Sequence, residues 1–543
     1  MKRLGLILLM FAFSQAFAGV NFKNGNFYIN YTDIVVSGGG GTEDLSIVRT
    51  YNSTATDKGW FGFGWGSDYE TYVATQPDGS VIIFENGVGS KTRFTPKESV
   101  DTDSAAKKIV EAMRKRSELD AKTTAGLIER LKGDADLRAA YAKKFNVETK
   151  VAEGTVLYSN EKGMQKLFVL KSGFKRSYSD GKEEYFNASG KLEKVVHKNN
   201  YSVSFNYKDG NLKSVKDSQA KQLFFEWYPD GKVKEIFSDA KGGKATYKFK
   251  GDDLTESVDV GGNKYVYGYA PNHNMTSVSY SDGSKMSIDY HKNTSWVSKI
   301  VSRNGEATKY AYDSNPKNPD QHYWTDVTKD GSEGKPVTNR YEYEMKTRPD
   351  GSEYTYRVKT VVNNISTETI YSECCSLPLK IVRGNHVTEF TYNSKGLLTK
   401  KHSSKGDFVE LSYDDKINKI TRVYNNEGVT NFEYDDKGNL VKASNDKGKK
   451  VLLIYDRMGR ITTMVDNDAA TKGNRTLAFK YNAQGKPVEI TMKNVGTINV
   501  AYDNFGEIQK VESKAGHKMA LQVTQAFQSL LSIVKPAGVN LNL

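Results

Sequence analysis

Residues 432–441 read Phe-Glu-Tyr-Asp-Asp-Lys-Gly-Asn-Leu-Val, and this stretch decides the fold. An aromatic run enters, a polar Asp-Asp-Lys-Gly segment follows, and an apolar run leaves. Asp favours the first positions of a turn because its side chain bonds to nearby backbone, while Gly438 accepts a positive φ. The stretch therefore predicts a β-hairpin closed by a type I turn and a left-handed glycine.

The hairpin signal recurs about every 21 residues. Tyrosines open the unit at positions 392, 413, 434, 455, 481 and 502, and aromatic residues keep steps of 20 to 22 between Phe186 and Tyr312. A fixed period of this size indicates a repeat architecture in which neighbouring units bury a shared core. Since each run alternates and a single hairpin is marginal in water, we predict an all-β protein, an elongated or spiralling antiparallel sheet of stacked hairpins.

The repeated tyrosines have two interpretations. In the structural one the rings pack and each hydroxyl finds a polar partner. In the other, the rings form a ladder on which a ligand stacks. The turn carboxylates, such as Asp435 and Asp436, lack the ligand spacing of a known calcium loop, so turn formation accounts for them better.

The first eighteen residues have the pattern of an export signal. Lys2 and Arg3 precede the apolar run 4–13, and Ala16-Phe17-Ala18 places small residues at the cleavage positions. We expect a signal peptide of residues 1–18 and a mature chain that begins at Gly19. The mature protein is then periplasmic, extracellular or on the cell surface, with no transmembrane segment after cleavage.

Residues 19–97 form a second β region without the 21-residue period. Its segment 59–66 reads Gly-Trp-Phe-Gly-Phe-Gly-Trp-Gly. Repeat arrays need atypical end units, so this region is predicted to be a capping domain. The alternative is that Trp60, Phe61 and Trp65 form an aromatic surface that binds carbohydrate.

Three segments of this region carry a family resemblance. Residues 25–29 (Gly-Asn-Phe-Tyr-Ile), 49–53 (Arg-Thr-Tyr-Asn-Ser) and 59–65 resemble the N-terminal domain that precedes the repeats of Rhs-type proteins. The Tyr-Asp-x-x-Gly-x-Leu/Ile units at 149–512 are similar to the YD repeats of that family. The resemblance implies a hollow β-shell, which holds a C-terminal toxin in some members and serves adhesion or carbohydrate contact in others. Only 41 residues follow Tyr502, and the family's P-x-x-x-x-D-P-x-G-L core motif is missing, so we expect a shell without a toxin.

Two segments break the β pattern. In residues 98–148, Ala105, Ile109 and Met113 recur at helical spacing, and Asp134 marks a helix start. We predict a small helical insert, either a solvated excursion or a plug, lid or docking element.

The tail, residues 513–543, carries the second helical pattern. Val523, Phe527, Leu530 and Val534 predict one amphipathic helix that caps the sheet or docks a partner.

Cys374 and Cys375 are the only cysteines and are adjacent in sequence. They cannot join distant segments of the chain. Three interpretations remain open: two buried thiols, a vicinal disulfide that rigidifies a loop in an oxidising compartment, or a redox or metal site.

The sequence carries no motif for catalysis or for a cofactor. None of the seven His forms H-E-x-x-H, and there is no nucleophile elbow, P-loop or dinucleotide fingerprint. The net charge of +13 is spread along the chain, whereas a nucleic-acid binder concentrates it in a stripe. We therefore expect no catalytic residue, metal, cofactor or nucleic acid.

The function we expect is an exported, non-enzymatic scaffold at the cell envelope that binds carbohydrate or an envelope protein. The first alternative is a β-shell that encloses or delivers a separate effector. The second is an envelope enzyme that acts on glycans.

Overall fold

A computed structural model of the chain describes residues 17–36, 44–87, 89–97, 99–159, 161, 165–197, 201–238, 243–330, 336–468, 473–482, 485–502, 508–513 and 516–534. Residues 1–16 of the predicted signal peptide lie outside the described residues, so that prediction stays a prediction. Phe17 and Ala18 form the start of the first strand.

Residues 17–36 and 44–70 form a unit that we call the N-terminal block. Its strands are β1 Phe17–Asn21, β2 Asn26–Val36, β3 Leu45–Asn52, β4 Lys58–Gly59, β5 Gly62–Phe63 and β6 Trp65–Ser67. β1, β2, β3 and β6 make one sheet, and a short 3-10 turn, Asp68–Glu70, follows. The Glu70 carboxylate accepts hydrogen bonds from the backbone N–H groups of Trp60 (2.5 Å) and Ser67 (2.8 Å). These bonds hold the two ends of the aromatic segment together.

From Tyr72 onward the described strands pair antiparallel, in chain order, into one sheet of 36 strands. The first half contains β7 Tyr72–Thr75, β8 Val81–Glu85, β9 Ser90–Thr95, β10 Val156–Ser159, β11 Lys166–Leu170, β12 Gly173–Ser177, β13 Glu183–Asn187, β14 Leu192–Val196, β15 Ser202–Lys208, β16 Asn211–Asp217, β17 Gln222–Trp227, β18 Val233–Ser238, β19 Lys244–Lys250, β20 Asp253–Val258, β21 Lys264–Tyr269, β22 Met275–Tyr280, β23 Lys285–Tyr290 and β24 Val297–Val301.

The second half contains β25 Ala307–Ser314, β26 His322–Asp330, β27 Pro336–Thr347, β28 Glu353–Val362, β29 Ile365–Tyr371, β30 Pro378–Arg383, β31 His386–Tyr392, β32 Leu398–Ser403, β33 Phe408–Tyr413, β34 Ile420–Asn425, β35 Gly428–Tyr434, β36 Leu440–Asn445, β37 Lys450–Tyr455, β38 Ile461–Asp468, β39 Gly473–Tyr481, β40 Pro487–Met492, β41 Gly496–Tyr502 and β42 Ile508–Ser513. The described helices are α1 Thr102–Arg114, α2 Ala121–Gly133, α3 Ala135–Phe145 and α4 Gly516–Val534. The prediction of an all-β repeat sheet with a helical insert and a C-terminal helix is confirmed.

The turn between β35 and β36 shows how the repeat chemistry forms a hairpin. Gly438 has φ 75° and donates its N–H to the carbonyl of Asp435 at 2.8 Å. The Asp435 carboxylate accepts from the N–H groups of Lys437 (3.0 Å) and Asn439 (2.7 Å). Burial would raise the pKa of Asp435, but these bonds outweigh it and hold the pKa below its usual value. The aspartate therefore forms the turn, as the sequence predicts.

Nine of the repeat tyrosines tie their hairpin to the preceding one by a hydrogen bond from the ring hydroxyl. The Tyr434 hydroxyl donates to the carbonyl of Ile420 at 2.8 Å, and that of Tyr455 donates to the carbonyl of Leu440 at 2.8 Å. The same bond to an earlier strand recurs at Tyr207, Tyr290, Tyr312, Tyr392, Tyr413, Tyr481 and Tyr502. Burial raises the pKa of Tyr434 and Tyr455 to about 12. The structural interpretation of the tyrosines is therefore confirmed at these positions.

The sheet curls until its first strand meets a later hairpin. The N–H of Val73 in β7 donates to the carbonyl of Gly190, in the β13–β14 turn, at 2.8 Å, and Tyr72 lies opposite Lys191. Gly190 has φ 79°, and a Cβ there would clash with the Val73 carbonyl. Only glycine therefore permits this approach of two backbones.

The helical insert also joins strands that are distant in the sheet. Arg138 of α3 is 1% exposed, and its Nε lies 3.0 Å from the Asp78 carboxylate in the β7–β8 turn. Its Nη2 donates to the carbonyl of Asp350, in the β27–β28 turn, at 2.8 Å. One side chain therefore joins the insert, the first hairpin and a hairpin far along the sheet.

Candidate functional site: the inner face of the sheet

We define the inner face as the face of the sheet that contacts the N-terminal block. It is packed in two separate cores. In the first, the block covers β8–β24, where Val215, Phe225 and Ile236 are at most 1% exposed. In the second, Met519 and Ala526 of α4 pack on strands of the β33–β40 region, where they join residues such as Leu453 and Leu477.

Arg49 is the centre of the first core. Its side chain is fully buried and forms a bidentate ion pair with Asp33. Nε donates to one carboxylate oxygen, and Nη2 donates to the other at 2.9 Å. Five aromatic rings surround the guanidinium: those of Tyr31, Phe61, Trp65, Tyr247 and Tyr267, between 4.7 and 5.9 Å away. Burial opposes the charge of Arg49, but Asp33 holds its pKa well above the usual value. Arg49 also donates to the hydroxyls of Ser257 and Tyr267 in the sheet, at 3.0 and 3.3 Å. The ion pair and these bonds therefore anchor the block to the sheet.

The aromatic segment of the block packs against the sheet. Phe61 and Trp65 are 0% exposed, and the indole N–H of Trp65 donates to the Tyr269 hydroxyl at 2.8 Å. Trp60 is half-buried, with its ring 5.3 Å from that of Trp227. The expectation of an aromatic carbohydrate surface is wrong for Phe61 and Trp65. The glycines between these aromatic residues explain the difference, because they let the block approach the sheet closely.

Strands β28–β32, which we call the open segment, are the longest run of consecutive strands without a buried residue among the described positions of the sheet; β25 and β41 also lack one. None of their described strand residues is buried. Each of β15–β23, by contrast, contains at least two buried residues. The inner face of the open segment therefore lies between the two cores without belonging to either.

The strand register identifies the residues on this inner face. The Thr325 hydroxyl donates to the carbonyl of Phe22 in the N-terminal block at 2.6 Å, so Thr325 faces inward. Cross-strand partners continue this row through Thr325, Tyr341, Thr360, Thr367 and Arg383. At the far end Lys401 lies opposite Val409, which is buried in the second core. The row is therefore a wall of hydroxyl, methyl and cationic groups.

The outer face of β26–β29 carries a cluster of ion pairs. His322, Glu342 and Glu344 place their ligand atoms within 4.8 Å of one another, a spacing that a divalent cation could use. Arg357 already lies 2.9 Å from Glu342 and 2.6 Å from Glu344, and His322 lies 2.8 Å from Glu342. Burial would raise the pKa of Glu342, but His322 and Arg357 hold it below its usual value. The guanidinium thus supplies the positive charge that a metal would bring.

The two cysteines lie in the β29–β30 turn, where the structure joins Cys374 and Cys375 in a disulfide. Cys374 is exposed, and Cys375 is 4% exposed. Arg348 anchors this turn by donating from Nη2 to the carbonyl of Glu373 at 2.7 Å. Whether the two cysteines are oxidised in solution stays a prediction. Titration of the unfolded, unreduced protein with a thiol reagent tests it, because two free thiols would exclude the disulfide.

The C-terminal helix differs in detail from its predicted pattern. Met519, Ala526 and Leu530 face the second core, whereas Phe527 is 38% exposed and touches Phe479 only at a ring separation of 6.2 Å. Among the described residues, no helix is both long and apolar enough to cross a membrane.

Sequence comparison matches two parts of the chain. Residues 18–94 match the family model described as domain of unknown function DUF6531. A 319-residue stretch is 22% identical to the tRNA3(Ser)-specific nuclease WapA of Bacillus spizizenii, covering 50% of this chain and 11% of WapA. The first match thus falls on the N-terminal block and the strands that follow it, and this chain spans about a ninth of its curated relative.

Solved structures of toxin complexes overlap with most of the chain. The TcdB2-TccC3-TEV crystal structure covers 90% of this chain at 10% identity, with 29% of that chain covered and a TM-score of 0.37. The Photorhabdus luminescens Tc holotoxin pore gives 11% identity, 90% and 29% coverage and a TM-score of 0.34. At these scores the overlap does not define a shared fold, so the fold rests on the chain's own geometry.

Proposed function

We propose that the chain is an exported, non-enzymatic scaffold of the YD-repeat type at the cell envelope, whose curled sheet receives another polypeptide on the inner face of the open segment. One observation carries the proposal. In the described residues, the five strands of the open segment contain no buried strand position, although cores flank them on both sides.

Burial supports a binding role for this wall. Thr367, Thr369 and Ile381 are only half-buried, so a chain laid over them would remove apolar surface from water. Such burial stabilises a complex by about 25 cal/mol for each Å² of apolar area. The corresponding face of β15–β23 has no such capacity, because the N-terminal block already occupies it.

Charge supports an acidic occupant. Arg383 lies on the inner row of the open segment, and so does Lys401. The carboxylates of β29 and β31, Glu368 and Glu389, are paired in register with Val382 and Lys380 and lie on the outer face. An acidic polypeptide would therefore meet complementary charge on the inner face.

The experiment places a photo-crosslinking benzoylphenylalanine at Thr369, on the inner face, and at its neighbour Ile370, on the outer face. Because adjacent strand residues point to opposite faces, the two variants differ in direction and in little else. We expect the protein in its native envelope to give one discrete adduct from position 369, weakened by added salt, and none from position 370. Equal adducts from both faces, or none from either, would refute the proposal. Retention on immobilised glycans without an adduct would instead support carbohydrate adhesion.

A further inference from the structure

The turn between β29 and β30, residues 372–377, holds both cysteines of the chain in the order Ser-Glu-Cys-Cys-Ser-Leu. In the turn between β35 and β36 the left-handed backbone conformation falls on a glycine, Gly438, at φ 75°. In the β29–β30 turn it falls on Cys375, at φ 72°, and on Ser376, at φ 51°. A Cβ makes this conformation unfavourable, and it is uncommon outside glycine, asparagine, aspartate and histidine. The turn therefore has a backbone that its own residues disfavour.

The turn between β33 and β34 is a matched comparison within the same sheet. It also has six residues, 414–419, and in both turns the N–H of the first residue donates to the carbonyl of the last at 2.8 Å. Only Asn418 is left-handed there, at φ 53°, and asparagine tolerates that conformation. A turn of this length therefore needs one such residue rather than two, so another constraint holds Cys375 and Ser376 in place.

Two constraints act on the β29–β30 turn. The first is the disulfide between Cys374 and Cys375 at its centre. The second is Arg348 of the β27–β28 turn, which is 7% exposed and donates to the carbonyl of Glu373 from Nη2 at 2.7 Å and from Nε at 3.2 Å. Its Nη1 donates to the carbonyl of Glu353, the first residue of β28, at 3.1 Å. An unfavourable backbone persists only where its surroundings hold it, and such places concentrate at functional and switch regions.

The two halves of the disulfide differ in their access to solvent. Cys374 is exposed, whereas Cys375 is buried. In thiol–disulfide exchange a thiolate attacks one sulfur and the other leaves as a thiolate, so access to one sulfur is sufficient. Exposed disulfides are also reduced more readily than buried ones. The arrangement therefore suits attack on Cys374 with Cys375 as the leaving group.

We propose that the Cys374–Cys375 disulfide is a site of reversible exchange with an external dithiol, and that its reduction releases the β29–β30 turn. A thiolate of the dithiol attacks Sγ of Cys374, the bond between the two Sγ atoms breaks, and Cys375 leaves as a thiolate that takes a proton from solvent. The second thiolate of the dithiol then attacks its own sulfur in the mixed disulfide, and Cys374 leaves and is protonated in turn. The protein gains two electrons and two protons, and the dithiol is oxidised to a disulfide.

Reduction removes one of the two constraints on the turn. Cys375 and Ser376 then leave the left-handed region, and the carbonyl of Glu373 moves away from Arg348. The β27–β28 turn stays in place, because Arg138 of α3 still donates to its backbone. The thiol content of the surroundings thereby sets how rigid the edge of the open segment is at β29 and β30.

Hydrogen exchange of the native protein, followed by mass spectrometry before and after treatment with dithiothreitol, tests the proposal. A thiol reagent should find no free thiol in the protein isolated without reductant and two after the treatment. We expect the amides of 372–377 to exchange at least about threefold faster in the reduced protein, and to slow again on reoxidation. The amides of 414–419, in a turn of equal length without a disulfide, should not change.

Four variants separate the chemistry from the release of the turn. Cys374→Ser/Cys375→Ser should exchange like the reduced protein, with or without dithiothreitol. Cys374→Ser/Cys375→Gly should exchange more slowly than that variant, because glycine accepts the left-handed conformation. The single variants test the direction of attack, since the exposed thiol left in Cys375→Ser should react with a thiol reagent at least about tenfold faster than the buried one left in Cys374→Ser.

Four results would overturn the proposal. Two free thiols in the protein isolated without reductant would exclude the disulfide, and reduction only after unfolding would exclude its accessibility. Equal exchange of 372–377 in the oxidised and reduced protein would exclude the release of the turn, and so would an equal change at 414–419. None of these measurements depends on an occupant of the open segment, so they test this site separately from the proposed function.

Discussion

Strands β15–β23 and the open segment are built from the same repeat, yet they differ in what covers them. Strands β29–β32 match β15–β23 in length, and both regions contain tyrosines whose hydroxyls bond to the preceding strand, such as Tyr207 and Tyr392. In the first region Val203 and Phe205 are buried beneath the N-terminal block, whereas Thr367 and Thr369 of the second are half-exposed. The repeat chemistry therefore builds the sheet, and a core forms only where another element packs on it.

The strands at the border of the open segment show how a sheet persists with little core. β26, β27 and β28 contain 9, 12 and 10 residues, whereas β15–β23 contain 6 or 7. Longer strands form more backbone hydrogen bonds, and the Arg357 cluster joins β26–β29 on the outer face. Backbone pairing and ion pairs thus replace part of the burial that stabilises the first half.

The largest difference should appear between removing the arginine of the N-terminal block that packs on β15–β23 and removing one from β27, at the border of the open segment. Arg49→Met leaves Asp33 buried without its partner, which costs about 3–5 kcal/mol. Arg340→Met removes an exposed pair with Asp326, 2.7 Å long, and should cost at most about 1 kcal/mol. Denaturant unfolding followed by tryptophan fluorescence measures both. Equal denaturant midpoints for Arg49→Met and Arg340→Met would contradict the prediction that the buried pair contributes more to stability.

The next largest effect is expected from shortening one isoleucine in each region. Ile236 is 0% exposed, so Ile236→Ala leaves a cavity and should destabilise the protein by about 2–5 kcal/mol. Ile381 lies on the inner row of the open segment and is half-buried, so Ile381→Ala should cost about 1 kcal/mol or less. If Ile381→Ala proves as costly as Ile236→Ala, the open segment is covered in solution.

The packed region should also respond to pH through Glu70. Burial raises the pKa of Glu70 to about 8 from its ordinary value near 4.5, and hydrogen bonds from Trp60 and Ser67 only partly oppose this. Because the folded state favours the protonated acid, the stabilisation is complete below about pH 4.5. It is lost as the pH rises to about 8, by on the order of 1.4 kcal/mol for each pH unit.

The Glu70→Gln variant provides the control for this pH dependence. Its stability should change less between pH 5 and pH 8 than that of the natural protein. The five tryptophans lie between Trp60 and Trp324, so their fluorescence reports on the packed half. An unchanged slope in Glu70→Gln would assign the pH dependence to another group.

The smallest effects are expected at the repeat tyrosines. Tyr434→Phe removes the hydrogen bond to the Ile420 carbonyl beside the second core and should cost about 1 kcal/mol. Tyr392→Phe removes the matching bond to the Pro378 carbonyl in the open segment. There water can replace the lost donor, so the cost should be smaller. A larger loss of stability in Tyr392→Phe than in Tyr434→Phe would contradict the prediction that the open segment is the less buried of the two.

Local chemistry was predictable from the sequence, because it depends on neighbours along the chain. Asp435 and Gly438 predict the turn between β35 and β36, and Asp134 predicts the start of α3. The spacing of the tyrosines predicts the repeat. Each of these features needs only a few adjacent residues to form.

Contacts between distant residues were not predictable in this way. The burial of Phe61 and Trp65 depends on Tyr247 and Tyr269, which lie about 190 to 200 residues later. Arg138 likewise reaches Asp78 and the carbonyl of Asp350, and no spacing along the sequence marks these partners.

Arg138 has a consequence for how the chain reaches its final state. Its hydrogen bond to Asp350 joins residues 212 positions apart in the chain. During synthesis the helical insert therefore emerges long before the β27–β28 turn to which it binds. Hairpins can form one by one as they appear, since their contacts are local. The first hairpin and the insert, however, leave their contact surfaces exposed to solvent until the β27–β28 hairpin has been synthesised. During that interval the nascent protein is prone to aggregation, and we expect its yield to depend on chaperones that bind apolar surface.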